Sequence, residues 1–461
     1  MTTSARPTIA APLDAGFQPA VLFNRNYVLA AQASGQSVPL VLGLEREGGL
    51  VSRFETVVRA GADAETLRYV ERIVKFLLWA RGGWRLHFGG PKPIGEFIRK
   101  TYSARGARKF DCAMMGTAYG KKFQVVLTTP GNVPANREMQ VAAGGHLSGC
   151  RIGFDLGASD YKVSAVVDGA AVFTEETPWS PAQQSNPEYH YHHLAAALHR
   201  AAAHLPRVDA IGGSSAGIIV DNEIRAASLL RAVPKKDFPR AAGIFKRIQR
   251  EWNVPLVVMN DGDVTALAGA LSLRQKGMFG IAMGSSEAAG FLDRQGRIPG
   301  WLNELAFAPV DYNPQAVADE WSGDRGVGAL YFSQQAVNRL LPAAKIRLPG
   351  KMGLPDRLRE IQNLMAKGDG RAAKIYETIG VYLGHAIPHY ADFYDFRHLL
   401  ILGRVTTGQG GDIVLDTART VLKKEFPETA AKIQIHVPDE KSRRVGQAVA
   451  AASLPMTGKQ P

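Results

Sequence analysis

Apolar and polar positions fall into two regimes that meet near Gly144-Gly145. Before that point, short apolar runs bounded by turn residues predict strands at Ala20 to Ala30, Pro39 to Leu44, Leu50 to Val58 and Phe123 to Thr128. One stretch changes period. Leu67, Val70, Val74 and Leu77 recur at helical spacing, with Asp63 placed to cap the start and Gly82-Gly83 to stop the helix. This part reads as mixed α and β. A DNA-reading pair would need two short helices about a compact turn, and Pro93 to Gly106 is the loose candidate for it.

The Pro-, Asn- and Gly-rich passage Pro130 to Gly149 separates that part from a second regime in which strands and helices alternate. Ile152 to Gly169 predicts a strand, a tight small-residue turn and a second strand. A helix follows near Tyr191 to His204, then strands at Val208 to Gly212 and Pro255 to Met259, a small-residue helix at Asp263 to Arg274 and a strand at Gly280 to Met283. Trp321 to Met365 reads as mostly helical with a Pro-rich interruption. A further helix precedes the strand Leu399 to Leu402, and a helix around Arg444 to Ala452 closes the chain. Such alternation is the mark of α/β architecture.

Composition narrows the picture without choosing a function. The 461 residues, 46% hydrophobic and 21% charged, exceed one modest core and predict two or three domains. No apolar stretch has membrane-spanning length and Met1 to Ala20 lacks the pattern of a secretory signal, so a cytoplasmic location is expected and no membrane partner. Two cysteines, Cys112 and Cys150, make neither a disulfide framework nor a zinc spacing. The net charge of +13 favours anionic partners, but it lies in short clusters such as Lys235-Lys236 and Lys441 to Arg444, so nucleic acid is not expected. The run Tyr189-His190-Tyr191-His192-His193 lacks metal-site spacing and reads as the start of a solvated helix.

Chemistry enters at the turns. Small residues at Gly157, Ala158 and Ser159 would let backbone amides approach an anion, with Asp155 at the strand end facing it; an ordinary hairpin explains the same residues. Three more small-residue turns follow strands at Gly212 to Gly217, Gly284 to Ser286 and Gly403 to Gly411, and several such turns in series can hold a nucleotide. In VPLVVMNDGDVTALAGA a buried strand ends at Met259 and presents Asn260 and Asp261. Asp261 there can take a proton from a hydroxyl while Asn260 bonds its neighbour; an Asn-Asp helix cap would also account for the pair.

These segments together resemble the ROK family of sugar kinases and regulators, within the hexokinase and actin-like ATPase superfamily. DLGASDYK, Asp155 to Lys162, resembles the first phosphate motif with Ser159 in place of the usual Thr, and AMGSSEAAGFL, Ala282 to Leu292, resembles the second. SSAGIIVD, Ser214 to Asp221, is similar to a segment lining the sugar pocket, and LILGRV, Leu400 to Val405, resembles the adenosine-side motif. The resemblance implies an α/β, two-lobed actin-like ATPase (ribonuclease H-like) fold preceded by a mixed α+β N-terminal domain. Residues 1–148 form an extension of unknown role, 149–261 the smaller lobe to which the helix 444–456 returns, and 262–443 the larger lobe.

The implied activity is ATP-dependent phosphorylation of a hexose or related sugar. Asp261 would be the general base; Asn260, Ser215, Gly217, Asn303 and Glu304 would bind sugar. Asp155, Gly157, Ala158, Ser159, Lys162, Gly284, Ser285, Ser286 and Gly403 would hold ATP, with Asp155 also facing Mg2+. A homodimer is implied, and a non-catalytic sugar-sensing regulator or scaffold is the alternative. Three departures stand out: the Cys-rich zinc loop is missing, with Phe307 where a histidine is expected; Glu287 would bring a carboxylate toward the triphosphate; and Arg404 replaces a glycine on the adenosine side.

Overall fold

The computed structural model describes residues 6–139, 144–437 and 440–457. Its first sheet has the order β2-β1-β3-β4, from β1 (Ser37–Glu45), β2 (Val51–Arg59), β3 (Arg85–Gly89) and β4 (Gln124–Thr128). The β1-β2 pair is antiparallel and β3-β4 parallel. Four helices accompany it: α1 (Ala20–Ala33), α2 (Ala64–Arg81), α3 (Lys92–Thr101) and α4 (Lys109–Tyr119). In α2 the Asp63 side chain accepts from the amides of Glu65 and Thr66, and Gly82 ends the helix at φ 74°, as the sequence predicts.

One expectation fails here. Ala20 to Ala30 is a helix, not a strand. Its buried positions Ala20, Val21, Asn24, Tyr27 and Ala31 repeat at the helical period, so tertiary packing settles an apolar run that is ambiguous by itself. Pro93 to Gly106 holds a single helix and the turn after it, and α3 packs on β4 and α2.

The second sheet has the order β11-β8-β5-β6-β7, from β5 (Cys150–Leu156), β6 (Asp160–Val167), β7 (Ala170–Pro178), β8 (Ala210–Ser215) and β11 (Leu256–Asn260). A hairpin of β9 (Ile218–Val220) and β10 (Glu223–Ala226) stands beside β11, and α5 (Pro187–Ala202), α6 (Phe238–Ala242) and α7 (Ile244–Trp252) complete this layer. α8 (Asp261–Leu273) leads to the third sheet, in the order β13-β12-β14-β15, from β12 (Met278–Met283), β13 (Glu287–Leu292), β14 (His398–Leu402) and β15 (Gln434–His436). The stretch expected to be mostly helical contains the two helices α9 (Gln334–Leu340) and α10 (Leu354–Ala366), with turns and 3-10 segments before them. The helices α11 (Gly370–Ala391), α12 (Gly408–Glu425) and α13 (Pro427–Lys432) flank β14 and β15, and α14 (Glu440–Ala452) comes after them. The basic cluster Lys441 to Arg444 lies outside the residues whose side chains are described.

Two features of the packing matter for function. α14 crosses the second sheet so closely that a Cβ on Gly153 or Gly212 would stand 1.7 Å from the carbonyl oxygen of Ala448 or Ala451. Only hydrogen fits at those two positions. Second, the first and third sheets share a continuous apolar core that runs from Ala11 through Trp79 and Phe279 to Ile433 and also takes in Ile218 of β9. The N-terminal part therefore touches elements beyond its own sheet, through α1 on α11 and through α4 on β10 of the β9-β10 hairpin.

Gly212→Ala should displace α14, because an overpacked core costs roughly 1–3 kcal/mol. The measurement is the urea midpoint; an unchanged midpoint would show that α14 does not need this approach.

Candidate active site

The strands β5, β8 and β11 run parallel and carry polar residues to their carboxyl ends, where open α/β sheets place their ligands. Their register sets Asp155 beside Ser214 and Asn260 beside Ser215. The Ser214 hydroxyl donates to Asp155 Oδ1 at 2.6 Å, and the Asp155 carboxyl is buried. Burial pushes its pKa up, opposed by Ser214 and Lys162.

The helix cap expected of the Asn260-Asp261 pair is present. Asn260 Oδ1 caps α8 by accepting from the Gly262 amide at 2.8 Å, while its Nδ2 donates to the Gly217 carbonyl at 2.8 Å and reaches Glu304 Oε1 at 3.4 Å. Asp261 is the first residue of α8, and burial together with the Asp155 charge raises it to about 6. Its place is fixed from behind. A Cβ on Gly262 would lie 2.0 Å from the Ala289 carbonyl oxygen, and one on Gly290 2.0 Å from that of Gly262, so α8 begins in direct backbone contact with β13.

Glu304 and Asp263 complete a cluster of carboxyls around this helix start. Burial, then Asp261 and Asp263, raise Glu304 to about 8; burial raises Asp263 to about 7. Asn303, expected to meet substrate, turns inward: it sits at φ 52°, donates to Asp263 Oδ1 at 2.8 Å and accepts from the Tyr394 hydroxyl at 3.1 Å. Its amide is spent on holding Asp263. Sequence reasoning passed over Asp263, although the acid two residues after Asp261 in NDGD was visible. Ser215 is buried, with its hydroxyl 3.5 Å from the Ala216 carbonyl. A cavity of about 720 Å³ opens behind Asn260, lined by Gly217, Asn260, Asp263 and Trp301 together with Arg46 and Tyr119 of the N-terminal part.

The turns lie where expected on two hairpins. Gly157 to Ser159 joins β5 to β6, closed by the Gly157 amide on the Asp160 carbonyl at 3.0 Å and held by the Trp179 indole, which donates to the Gly157 carbonyl at 2.8 Å. Gly284 to Ser286 joins β12 to β13, closed by the Gly284 amide on the Ser286 carbonyl at 3.1 Å. Ala158, Ser159, Ser285 and Ser286 are exposed, and among the described residues their amides have no acceptor. Lys162 pairs with Asp160 at 3.2 Å, and against the upward push of burial the Ser159 hydroxyl, Lys162 and Arg404 hold Asp160 below the usual carboxylate range. The Arg404 charge thus acts on Asp160, at the start of β6 beside the first turn. Gly403 packs against the backbone of Met283 beside the second.

Glu287 corrects an expectation. It starts β13 rather than pointing into the turn, is 4% exposed, accepts from Tyr390 at 3.0 Å and lies against Gly328; burial raises it to about 8. Trp301 also faces inward, stacked on Phe291 with its indole donating to Glu138 Oε2 at 3.0 Å.

No protein-family model matches the chain, and no curated protein matches it. Solved structures do. A ROK family glucokinase from Streptomyces griseus, solved with glucose and AMPPNP, is 19% identical with a TM-score of 0.50, over 67% of this chain and 100% of that one. A ROK hexokinase from Thermus thermophilus is 20% identical with a TM-score of 0.50, over 66% and 97%. A ROK family transcriptional regulator, described as a homologue of the E. coli MLC protein, is 18% identical with a TM-score of 0.53, over 79% and 89%.

The fold is ROK-like. Kinases and a regulator both carry the ROK fold, so the architecture expected from the sequence is present while the fold by itself does not choose an activity. Phe307, at the position where the resemblance puts a histidine, packs its ring 4.5 Å from Trp79 and 5.6 Å from Phe110, both N-terminal residues. Among the described residues no helix is long and apolar enough to cross a membrane, and no group of three or more His, Cys, Asp or Glu could hold a metal ion.

Carboxyls raised to about 6, 7 and 8 in the folded state bind protons that the unfolded chain has released, so each costs stability as pH rises through that window. Glu304→Gln should therefore stabilise the fold at pH 8.5 by on the order of 1 kcal/mol, read as a higher melting temperature, and the gain should shrink toward pH 5. Melting curves at the two pH values test this; an equal or larger gain at pH 5 would refute it.

Proposed function

We propose that the chain is an ATP-dependent sugar kinase acting on a hexose or related sugar. The observation that carries the reading is Asp261: a carboxylate at a strand end and helix start, raised to about 6, flanked by Asn260 and Glu304 and facing Asp155. A base tuned toward neutrality is what proton abstraction from a hydroxyl asks for.

Asp261 accepts the proton as the sugar oxygen bonds to the terminal phosphorus and ADP departs. Asn260 and Glu304 orient the sugar hydroxyls beside it. The free amides of Ala158, Ser159, Ser285 and Ser286 receive phosphate oxygens, with Lys162 and Arg404 offsetting their charge. Asp155 suits Mg2+, which prefers one or two carboxylates and keeps its other places for water and phosphate. When bound, the ion neutralises phosphate charge. The cleft lies between 149–261, with 444–456, and 262–443, and a homodimer is the assembly we expect.

ADP release with Mg-ATP across a hexose panel that includes glucose tests the activity. Asp261→Asn should lower kcat by about 10²–10⁴-fold, and full turnover in that variant would remove Asp261 from the mechanism. The wild-type kcat/KM should rise with pH through about 6 as Asp261 loses its proton, then level off; a profile flat from pH 5 to 8 would contradict its role as base.

A sugar-binding regulator is the second reading, favoured by the N-terminal part that touches both β10 and α11. Sugar-dependent thermal stabilisation without ADP release from any hexose would select it.

A further inference from the structure

The loop that carries Glu304 is held by the N-terminal part. The amides of Asn303 and Glu304 donate to the carbonyls of Ala80 at 2.9 Å and Trp79 at 3.0 Å, at the end of α2 where helical carbonyls lack intrahelical partners. Trp79 is itself fixed. Its indole donates to Asp111 Oδ1 at 2.6 Å, and Lys75 Nζ meets the same oxygen at 2.5 Å and Asp324 at 3.4 Å, all fully or nearly fully buried. Phe307, three residues beyond Glu304, rests on the Trp79 ring. Neither element is satisfied alone: α2 ends in carbonyls that need donors, and the 301–307 loop has donors to give.

We propose that Trp79, anchored by Asp111, is a positioning residue for Glu304, so that the N-terminal part sets the sugar-side geometry of the site rather than standing apart from it. This rests on the reading of Glu304 as a sugar ligand. The C-terminal turn of α2 supplies two acceptors about 1.5 Å apart along the helix axis, which fixes the direction in which the loop leaves and therefore where the Glu304 carboxylate meets Asn260. Misplacing a substrate-orienting group by about 1 Å costs up to about a hundredfold.

The test is a double-mutant cycle on sugar affinity. It compares wild type, Trp79→Leu, Glu304→Gln and the double variant by titration calorimetry, with the hexose that most raises the melting temperature of the wild type. Trp79→Leu should weaken sugar binding about tenfold or more, leave ATP affinity within about twofold, and add little in the Glu304→Gln background. Phe307→Leu, a milder change to the same contact, should weaken sugar binding in the same direction and serves if Trp79→Leu does not fold. Additive losses, or equal losses of sugar and ATP affinity, would overturn the positioning role while leaving Glu304 as a ligand. Unchanged sugar affinity in Glu304→Gln, or no hexose that binds, would overturn the underlying reading and the proposal with it.

Discussion

The start of α8 lies in backbone contact with β13, Gly262 against Ala289 and Gly290, with no room for a side chain between them. Everything in the site is referred to this contact. α8 carries Asp261 from the second sheet, and β13 descends from the turn at Gly284 to Ser286 on the third. The two sheets are thus joined next to Asp261 and the turn at Gly284 to Ser286. Two backbones in direct contact leave little volume to rearrange, so Asp261 keeps a fixed place relative to β13.

Around that contact the chain gathers Asp155, Asp261, Asp263 and Glu304, each with its pKa raised by burial. A chain selected only for stability would not keep four acids so near one another, because each loses hydration and repels the rest. Lys162 and the Ser214 hydroxyl relieve Asp155, and Asn303 relieves Asp263, but Asp261 receives only backbone bonds. Glu304, raised to about 8, has nothing set against burial and its acidic neighbours, so the two least compensated acids are the ones read as base and sugar ligand.

Much of this was legible in the residues. The turns at Gly157 to Ser159 and Gly284 to Ser286, the strand ending at Asn260-Asp261 and the capped helix after Asp63 are local signals, carried by Gly, Asp and periodicity within a dozen positions, and they stand where the sequence puts them. Gly212 to Ser215, by contrast, continue β8, and Gly408 to Gly411 open α12 instead of forming turns. What escaped is set by contacts distant in sequence. Ala20 to Ala33 folds as a helix because α11 and β2 receive its apolar face. Glu287 turns inward because Tyr390 meets it, about a hundred positions away, and Asn303 serves Asp263 and Tyr394. A turn position does not reveal which way its side chain leaves, and a motif does not reveal what lies behind it.

The core shared by the first and third sheets has a consequence for synthesis on the ribosome. Residues that finish the environment of the N-terminal part are made several hundred positions later: the Ile9 amide bonds to Glu425, the Leu13 amide to Thr378, and Asp14 accepts from Tyr382. Until α11 and α12 have emerged, α1 and the segment before it hold an apolar face without its counterpart. Vectorial, domain-by-domain folding is therefore disfavoured for this segment, which completes its packing only with partners of high sequence separation.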